Sequence, residues 1–211
     1  DTITTEPRLL EIDINGKVIW SWSVPDTMVA GRSICMGADV KYLADTDSFL
    51  LTIPNFGVLA VQRDGSYQVL LQDEKISHDI HQFEDGSILY ARGFADKKDH
   101  NFAIRNNAGQ KVWSWTASEH IRSREDYWTS TCKIRERSWK RSGDADWAHA
   151  NGLEVLKNGN FLLSLRNLSA FFEVDKSGQI IKEYRNHVGV HEPKIFDGGF
   201  ILSDRNCTGD R

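Results

Sequence analysis

Three histidines share one position relative to the glycines that precede apolar runs. Each lies eight to ten residues before such a glycine: His78 before Gly86, His149 before Gly159 and His191 before Gly199. An imidazole can act as a nucleophile, a proton donor or a neutral hydrogen-bond partner near neutral pH. If the apolar runs are equivalent strands of a repeat, the three imidazoles come together in one place.

Arginines follow the same glycines at six or seven residues, at positions 92, 166 and 205. The planar guanidinium group matches the oxygens of a sulfate, a phosphate or a carboxylate. Convergent histidine and arginine therefore predict a site that holds an oxyanion and reacts with it. For any one histidine alone, a hydrogen bond between neighbouring repeats is the simpler interpretation, and the matched positions of three favour a site.

Two interleaved repeats indicate the elements that carry these residues. Hairpins with a turn glycine and alternating apolar residues centre on Gly16, Gly65, Gly109 and Gly178, as expected for tight turns. Continuous apolar runs occur at 47–52, 85–92, 158–166 and 198–205, and such runs are typical of strands covered on both faces. The first repeat predicts outer strands and the second predicts inner strands.

Four short strands repeated about every 40 to 50 residues are typical of β-propeller blades. We therefore predict an all-β fold, a β-propeller of four-stranded blades that forms a single domain over residues 1–211. The blades are expected at about 29–72, 73–116, 117–185, and 186–211 joined by the hairpin 8–22. This is either a small closed ring or part of a five- or six-bladed one. Residues 117–146 are predicted to be an insertion, and a β-sandwich with similar hairpins is the alternative fold.

Composition excludes several classes of function. The 211 residues carry 26 Lys and Arg against 30 Asp and Glu, a formal charge of −4, which argues against a nucleic-acid partner. No apolar run approaches the roughly 20 residues of a membrane span. The cysteines lack CxxC spacing. His78 and His81 with Asp79 offer only a weak zinc pattern, so no metal is predicted.

The most specific motifs lie in the third predicted blade, and they resemble the arylsulfotransferase (arylsulfate sulfotransferase) propeller family. That family has an Asp-Trp-x-His-x-Asn blade start, a strand ending in Ser-x-Arg and an Ile-Asp-x-x-Thr-Gly-x-Ile hairpin. The segments that resemble these motifs are 147–152, 164–168 and 171–181. Residues 190–206 are similar to the family's next blade, and His78-Asp79 to its upstream blade start. The resemblance covers about 70–211, although Val190 replaces the family's Gln and Asp204-Arg205 replaces its Asp-Asn.

The resemblance implies an enzyme that moves a sulfuryl group from an aryl sulfate to a phenol through a transiently sulfated histidine, with no nucleotide donor and no cofactor. It makes His191 the nucleophile and His149 and Arg166 its catalytic partners. The residues expected to contact the substrate are His78, Arg92, Asn151, Asn167 and Arg205. The small molecules are the only partners expected. Because the chain starts at Asp1, as a processed secretory chain or a trimmed one does, we expect a periplasmic or extracellular location.

Two other functions fit the same residues. A propeller polysaccharide lyase or hydrolase would use histidine and tyrosine to remove a proton beside an arginine-neutralised carboxylate. A non-catalytic binding propeller would grip a partner or glycan with the insertion residues Trp128, Arg135, Arg137, Trp139 and Arg141.

Overall fold

A computed structural model describes residues 7–29, 38–127, 143–187 and 189–203. Its strands fall into three four-stranded antiparallel sheets and two hairpins. The N-terminal hairpin consists of β1 (Arg8–Ile12) and β2 (Val18–Ser23). Blade 1 consists of β3 (Asp39–Leu43), β4 (Ser48–Ile53), β5 (Gly57–Gln62) and β6 (Tyr67–Gln72).

Blade 2 consists of β7 (Ile80–Gln82), β8 (Ile88–Ala91), β9 (Phe102–Arg105) and β10 (Lys111–Trp115). Blade 3 consists of β11 (Ala150–Val155), β12 (Phe161–Leu165), β13 (Ala170–Val174) and β14 (Ile180–Arg185). The C-terminal hairpin consists of β15 (His191–Phe196) and β16 (Gly199–Ser203). Within each blade the strands pair in chain order, so the predicted all-β fold of four-stranded blades is confirmed.

Helix is short. α1 spans Asp26–Val29 and α2 spans Ala117–His120, and single 3₁₀ turns span Glu125–Tyr127 and Arg166–Leu168. The described part of the predicted insertion therefore carries α2 and one 3₁₀ turn and no strand, whereas its candidate binding residues 128–141 lie outside the described residues. No helix of the described ranges is long and apolar enough to cross a membrane.

The second strand of each blade is the most buried. Every residue of β4, β8 and β12 is buried, because neighbouring sheets cover both faces of the blade at this depth. That burial explains why these strands are continuous apolar runs rather than alternating ones. At about 1.5–3 kcal/mol for each large apolar side chain removed from water, this layer supplies much of the driving force that stacks the blades.

Paired tryptophans connect an outer strand to the turn of the next sheet. The Trp113 and Trp115 indole N–H groups of β10 donate to the carbonyls of Lys176 and Gly178, each at 3.1 Å, in the outer turn of blade 3. In β2, Trp20 and Trp22 donate in the same way to the Arg63 and Gly65 carbonyls of blade 1, at 2.9 and 3.1 Å. The N-terminal hairpin thus occupies the place of the outer half of a blade that precedes blade 1.

The two hairpins do not form the fourth blade that the sequence predicts. Among the described residues, β1 pairs with β2 and β15 pairs with β16 in separate two-stranded sheets. The prediction that 8–22 completes the sheet of 186–211 is therefore wrong for the described structure. Each hairpin is held by its neighbouring blade, and no strand hydrogen bonds of the described residues join the two: Trp22 joins a core with Phe49 and Leu59 of blade 1, and Phe200 packs against Phe171 of blade 3.

Candidate functional site

The three predicted histidines form one cluster, called the histidine cluster below. The ring centroids of His78 and His149 are 5.1 Å apart, and those of His78 and His191 are 6.2 Å apart. Each histidine lies where the chain enters an innermost strand: just before β7, just before β11 and at the first residue of β15. Equivalent strands of successive blades enter from the same side, so residues distant in sequence meet here.

The backbone at two of these positions is left-handed. φ is 65° at His78 and 52° at His149, a conformation that non-glycine residues rarely adopt and that costs on the order of 1–3 kcal/mol. At the third position the left-handed residue is Glu192, with φ of 43°, one residue beyond His191. The turns therefore match in kind but are offset by one residue in the C-terminal hairpin.

Two glycines allow the segments of the site to approach one another. A Cβ atom at Gly93 would stand 3.1 Å from His78 Nδ1 and 2.9 Å from the Ala150 carbonyl oxygen, and closer still to Ser77 Oγ. A Cβ atom at Gly152 would stand 2.7 Å from Glu192 Cα. Neither glycine is in a turn with positive φ, so close backbone approach is the reason for glycine at both.

The hydrogen bond at His191 fixes which nitrogen carries the proton. Its Nδ1 lies 2.6 Å from the Gly189 carbonyl oxygen, and because a carbonyl only accepts, Nδ1 must be the protonated nitrogen. In the neutral ring the lone pair is then on Nε2. This is the tautomer that a nucleophilic imidazole needs.

His149 faces a carboxylate. Its side chain is 5% exposed, and its Nδ1 lies 2.8 and 2.9 Å from the two carboxylate oxygens of Asp146. The Arg166 guanidinium Nη2 lies 3.8 Å from Asp146 Oδ2, so both catalytic candidates adjoin one carboxylate. Phe94 contacts the His149 ring edge to face, with centroids 5.9 Å apart.

The surroundings of His78 disfavour its protonated form. Burial, followed by electrostatic repulsion from His149, His191 and Arg166, lowers the pKa of His78 to about 3. Its Nδ1 lies 2.7 Å from Ser77 Oγ. At neutral pH this imidazole is therefore suited to hydrogen bonding and not to carrying a proton.

The two predicted asparagines support the loops around the histidines. Asn151 is fully buried; its Nδ2 donates to the Val190 carbonyl at 2.7 Å, and its Oδ1 accepts from Ser164 Oγ at 2.7 Å. Asn167 Nδ2 donates to the Asp146 carbonyl at 2.7 Å. Asn151 thereby holds the residue before His191, and Asn167 holds the residue that faces His149.

Two predicted arginines are not in the described cluster. Arg92 is 12% exposed; its Nε pairs with Asp73 Oδ2 at 2.8 Å and its Nη1 donates to the His100 carbonyl at 3.0 Å. The structure does not bring Arg92 to the histidines, because a buried carboxylate from the end of blade 1 holds its guanidinium group. Arg205 lies outside the described residues.

A buried ion network lies next to the histidine cluster. Asp79 follows His78 and is 0% exposed; Lys41 Nζ of β3 contacts its Oδ1 at 2.7 Å, and Lys194 Nζ of β15 contacts its Oδ2 at 3.2 Å. The Leu153 N–H of β11 donates to the same Oδ2 at 3.0 Å. Burial alone would raise the pKa of Asp79, but Lys194 and Lys41 hold it below its usual value.

Because of these contacts, the possible zinc ligands noted in the sequence, His78, Asp79 and His81, do not form a metal site in the described structure. The Asp79 oxygens are occupied by two lysines, and the His81 ring packs on Phe83 with centroids 4.9 Å apart. Within the part of the chain that the structure describes, no three His, Cys, Asp or Glu residues are grouped to hold a metal.

The family model for arylsulfotransferase (ASST) matches residues 62–182, more than half of the chain. The chain belongs to the arylsulfotransferase family. The matched range contains His78, His149 and Arg166 and ends before His191, so the nucleophile assigned by resemblance lies beyond it. No curated protein matches the chain.

Solved structures similar to this arylsulfotransferase-family chain show the fold alone. Virginiamycin B lyase from Staphylococcus aureus has a TM-score of 0.59 at 10% identity, over 95% of this chain and 57% of that one. A protein of unknown function from Bacteroides caccae has 0.55 at 13% identity, over 90% and 58%. A streptogramin B lyase has 0.54 at 9% identity, over 93% and 55%. This chain thus spans less than three fifths of each structure's length.

Sequence reasoning missed Asp146, Ser77 and Gly93 at this arylsulfotransferase-family site. Asp146 is three residues before His149 in the motif, and the left-handed φ of 47° that brings its carboxylate under the ring is one that Asp tolerates better than most residues. The sequence signal for Gly93 is weaker: it is a glycine that directly follows an inner strand and the arginine after that strand. For Ser77, no feature of a single sequence points to a role in the site.

Proposed function

We propose that this protein transfers a sulfuryl group from an aryl sulfate to a phenol through a covalent intermediate on His191. The observation that supports this most directly is the hydrogen bond from His191 Nδ1 to the Gly189 carbonyl at 2.6 Å. It places the lone pair on Nε2 in a cluster that also contains two further imidazoles. Membership of the arylsulfotransferase family supports the same chemistry.

The reaction has two halves. His191 Nε2 attacks the sulfur atom, an N–S bond forms, and the bond from sulfur to the aryl oxygen breaks to release the aryl oxide. In the second half the oxygen of an acceptor phenol attacks sulfur and the N–S bond breaks. Arg166 donates to the sulfuryl oxygens, where charge accumulates in the transition state, and His149 is the second catalytic group beside it.

The other predicted residues take supporting roles in this proposal. Neutral His78 is a hydrogen-bond partner of the sulfuryl group, and Asn151 and Asn167 hold the backbone at Val190 and Asp146. Arg205 remains a proposed substrate contact because it follows the repeat glycine Gly199 much as Arg166 follows Gly159. A periplasmic or extracellular location is likewise a proposal, made from the family resemblance.

The test is trapping of the intermediate. Intact-mass analysis after mixing the protein with 4-nitrophenyl sulfate alone should reveal one added sulfuryl group, and peptide mapping should locate it on His191. His191→Ala should abolish both adduct and transfer. His78→Ala, which removes one of several donors, should lower turnover by about two to three orders of magnitude. The control is His120→Ala, an exposed histidine on α2 outside the histidine cluster.

An adduct on a different histidine would refute the assignment of the nucleophile. A folded wild-type protein that forms no adduct and turns over no aryl sulfate would refute the proposed function. That result would shift attention to the lyase or hydrolase and the non-catalytic binding alternatives, which predict no sulfated intermediate.

A further inference from the structure

We infer that Asp146 is a positioning residue that makes His149 the proton carrier of both half-reactions. This inference rests on the proposed function and adds to it the route of the proton. An aryl oxide must gain a proton when it leaves, and an acceptor phenol must lose one when it attacks. Among the described residues, His149 has a ring nitrogen that lies against a carboxylate, that of Asp146.

The geometry of this pair is tight. Both carboxylate oxygens of Asp146 lie within 2.9 Å of His149 Nδ1, and the imidazole is almost fully buried. A carboxylate accepts and does not donate, so Nδ1 carries a hydrogen whether the ring is neutral or charged. Asp146 also offsets the charge of the ring when Nε2 is protonated as well.

The loop that holds Asp146 is fixed on two sides. Both Asp146 and His149 have left-handed backbone, with φ of 47° and 52°, and these two bends turn residues three apart towards each other. Asn167 Nδ2 clamps the Asp146 carbonyl at 2.7 Å. Such bends persist only where the surroundings enforce them, which is common at functional sites.

The other two histidines are poorly suited to this task. His191 Nε2 is committed to sulfur in the intermediate, and its Nδ1 faces a neutral carbonyl. His78 faces the Ser77 hydroxyl and no carboxylate, and its lowered pKa keeps it neutral. His149, with its Nδ1 against the Asp146 carboxylate, can hold and release a proton at Nε2.

The proton balances over the cycle. In the first half the Nε2 proton of charged His149 passes to the aryl oxide as the S–O bond breaks and the N–S bond to His191 forms. His149 is left neutral, and its Nδ1 keeps a hydrogen that it donates to the Asp146 carboxylate. In the second half the phenol proton passes to His149 Nε2 as the phenol oxygen bonds to sulfur and the N–S bond breaks. No proton is gained or lost overall.

The test is Asp146→Asn, measured with aryl sulfates whose phenols differ in acidity. An acidic nitrophenol leaves without help, whereas a methylphenol needs a proton. Since general acid catalysis contributes about 10²- to 10⁴-fold, we expect the variant to lose on the order of 10²-fold or more with methylphenyl sulfate and about tenfold or less with nitrophenyl sulfate. The control is Asp144→Asn, whose side chain is 71% exposed, and which should leave both rates unchanged.

A loss by the same factor with every donor would overturn the inference, because that pattern is expected if Asp146 only orients Arg166 or the loop. Different results would refute the proposed sulfuryl transfer and the role of Asp146. A wild-type protein without a His191 adduct contradicts the transfer reaction itself. In that case the ¹⁵N shifts of His149 decide the placement of the proton: Nδ1 protonated in wild type and shifted towards the other tautomer in Asp146→Asn supports it, and unchanged shifts overturn it.

Discussion

Removing the charge of Asp79 tests whether the buried ion network holds the inner strands together. This carboxylate is inaccessible to solvent and receives Lys41 of β3, Lys194 of β15 and the Leu153 N–H of β11. It also directly follows His78, so it sits at the junction of the network and the histidine cluster. Asp79→Asn keeps the shape of the side chain and removes its charge.

The size of the expected loss in stability depends on the partners that the two lysines keep. Breaking a buried ion pair by removing one member costs about 3–5 kcal/mol. Here the two lysine side chains are 32% and 40% exposed, and each keeps a second carboxylate, Asp39 at 3.0 Å for Lys41 and Glu154 at 3.0 Å for Lys194. We therefore expect the free energy of unfolding to fall by about 2–3 kcal/mol.

Urea unfolding of wild type, Asp79→Asn and the exposed control Asp45→Asn at a series of pH values measures this difference. Because Lys194 and Lys41 hold the pKa of Asp79 below its usual value, its contribution is fully present above about pH 4, the range where an unfolded carboxyl ionises. It is lost as the pH falls through the lower, folded value. A difference at pH 7 of less than about 0.5 kcal/mol, the usual scale of a surface substitution, would refute the reasoning.

Two further predictions concern the histidine cluster. Because burial, and then the charges of its neighbours, lowers the pKa of His78 to about 3 from about 6.5 in the unfolded chain, stability should fall as the pH drops below 6.5 towards 3. His78→Gln should flatten this decline in thermal melts, and an unchanged slope would contradict it. Gly93→Ala should cost about 1–3 kcal/mol through overpacking and, by displacing His78, reduce aryl sulfate turnover at least about tenfold. Gly199→Ala, where a Cβ meets only ordinary contacts at 3.5 Å, is its control, and equal effects of the two substitutions would count against the close-approach argument.

The sequence predicts the convergence of the histidines well, because that convergence depends only on the repeat. Turn glycines at 65, 109 and 178 all have the positive φ expected of them, and the continuous apolar runs are the buried second strands. Once the strands are equivalent, a residue that precedes one innermost strand must lie near a residue that precedes the next. No side-chain detail enters that step.

Side-chain pairing between blades is what one sequence does not reveal. Arg92 and Arg166 both follow an inner strand, yet Arg92 meets Asp73 at the end of blade 1 whereas Arg166 begins a 3₁₀ turn beside Asp146. Which carboxylate an arginine reaches depends on the adjacent blade, and spacing within its own blade carries no information about that. The separation of the two hairpins into different sheets also concerns segments far apart in sequence, whose pairing the order of strands along the chain does not determine.

The tryptophan contacts between blades bear on the order in which the chain folds. Trp20 and Trp22 bond to carbonyls 43 residues further along, and Trp113 and Trp115 to carbonyls 63 residues further along. An outer strand therefore emerges from the ribosome well before the turn that receives its indoles exists. Long-range contacts of this kind form late because the loop between them must close first. A nascent chain would leave these indoles exposed until the following blade is complete, and β15, which carries His191, is made after both turns.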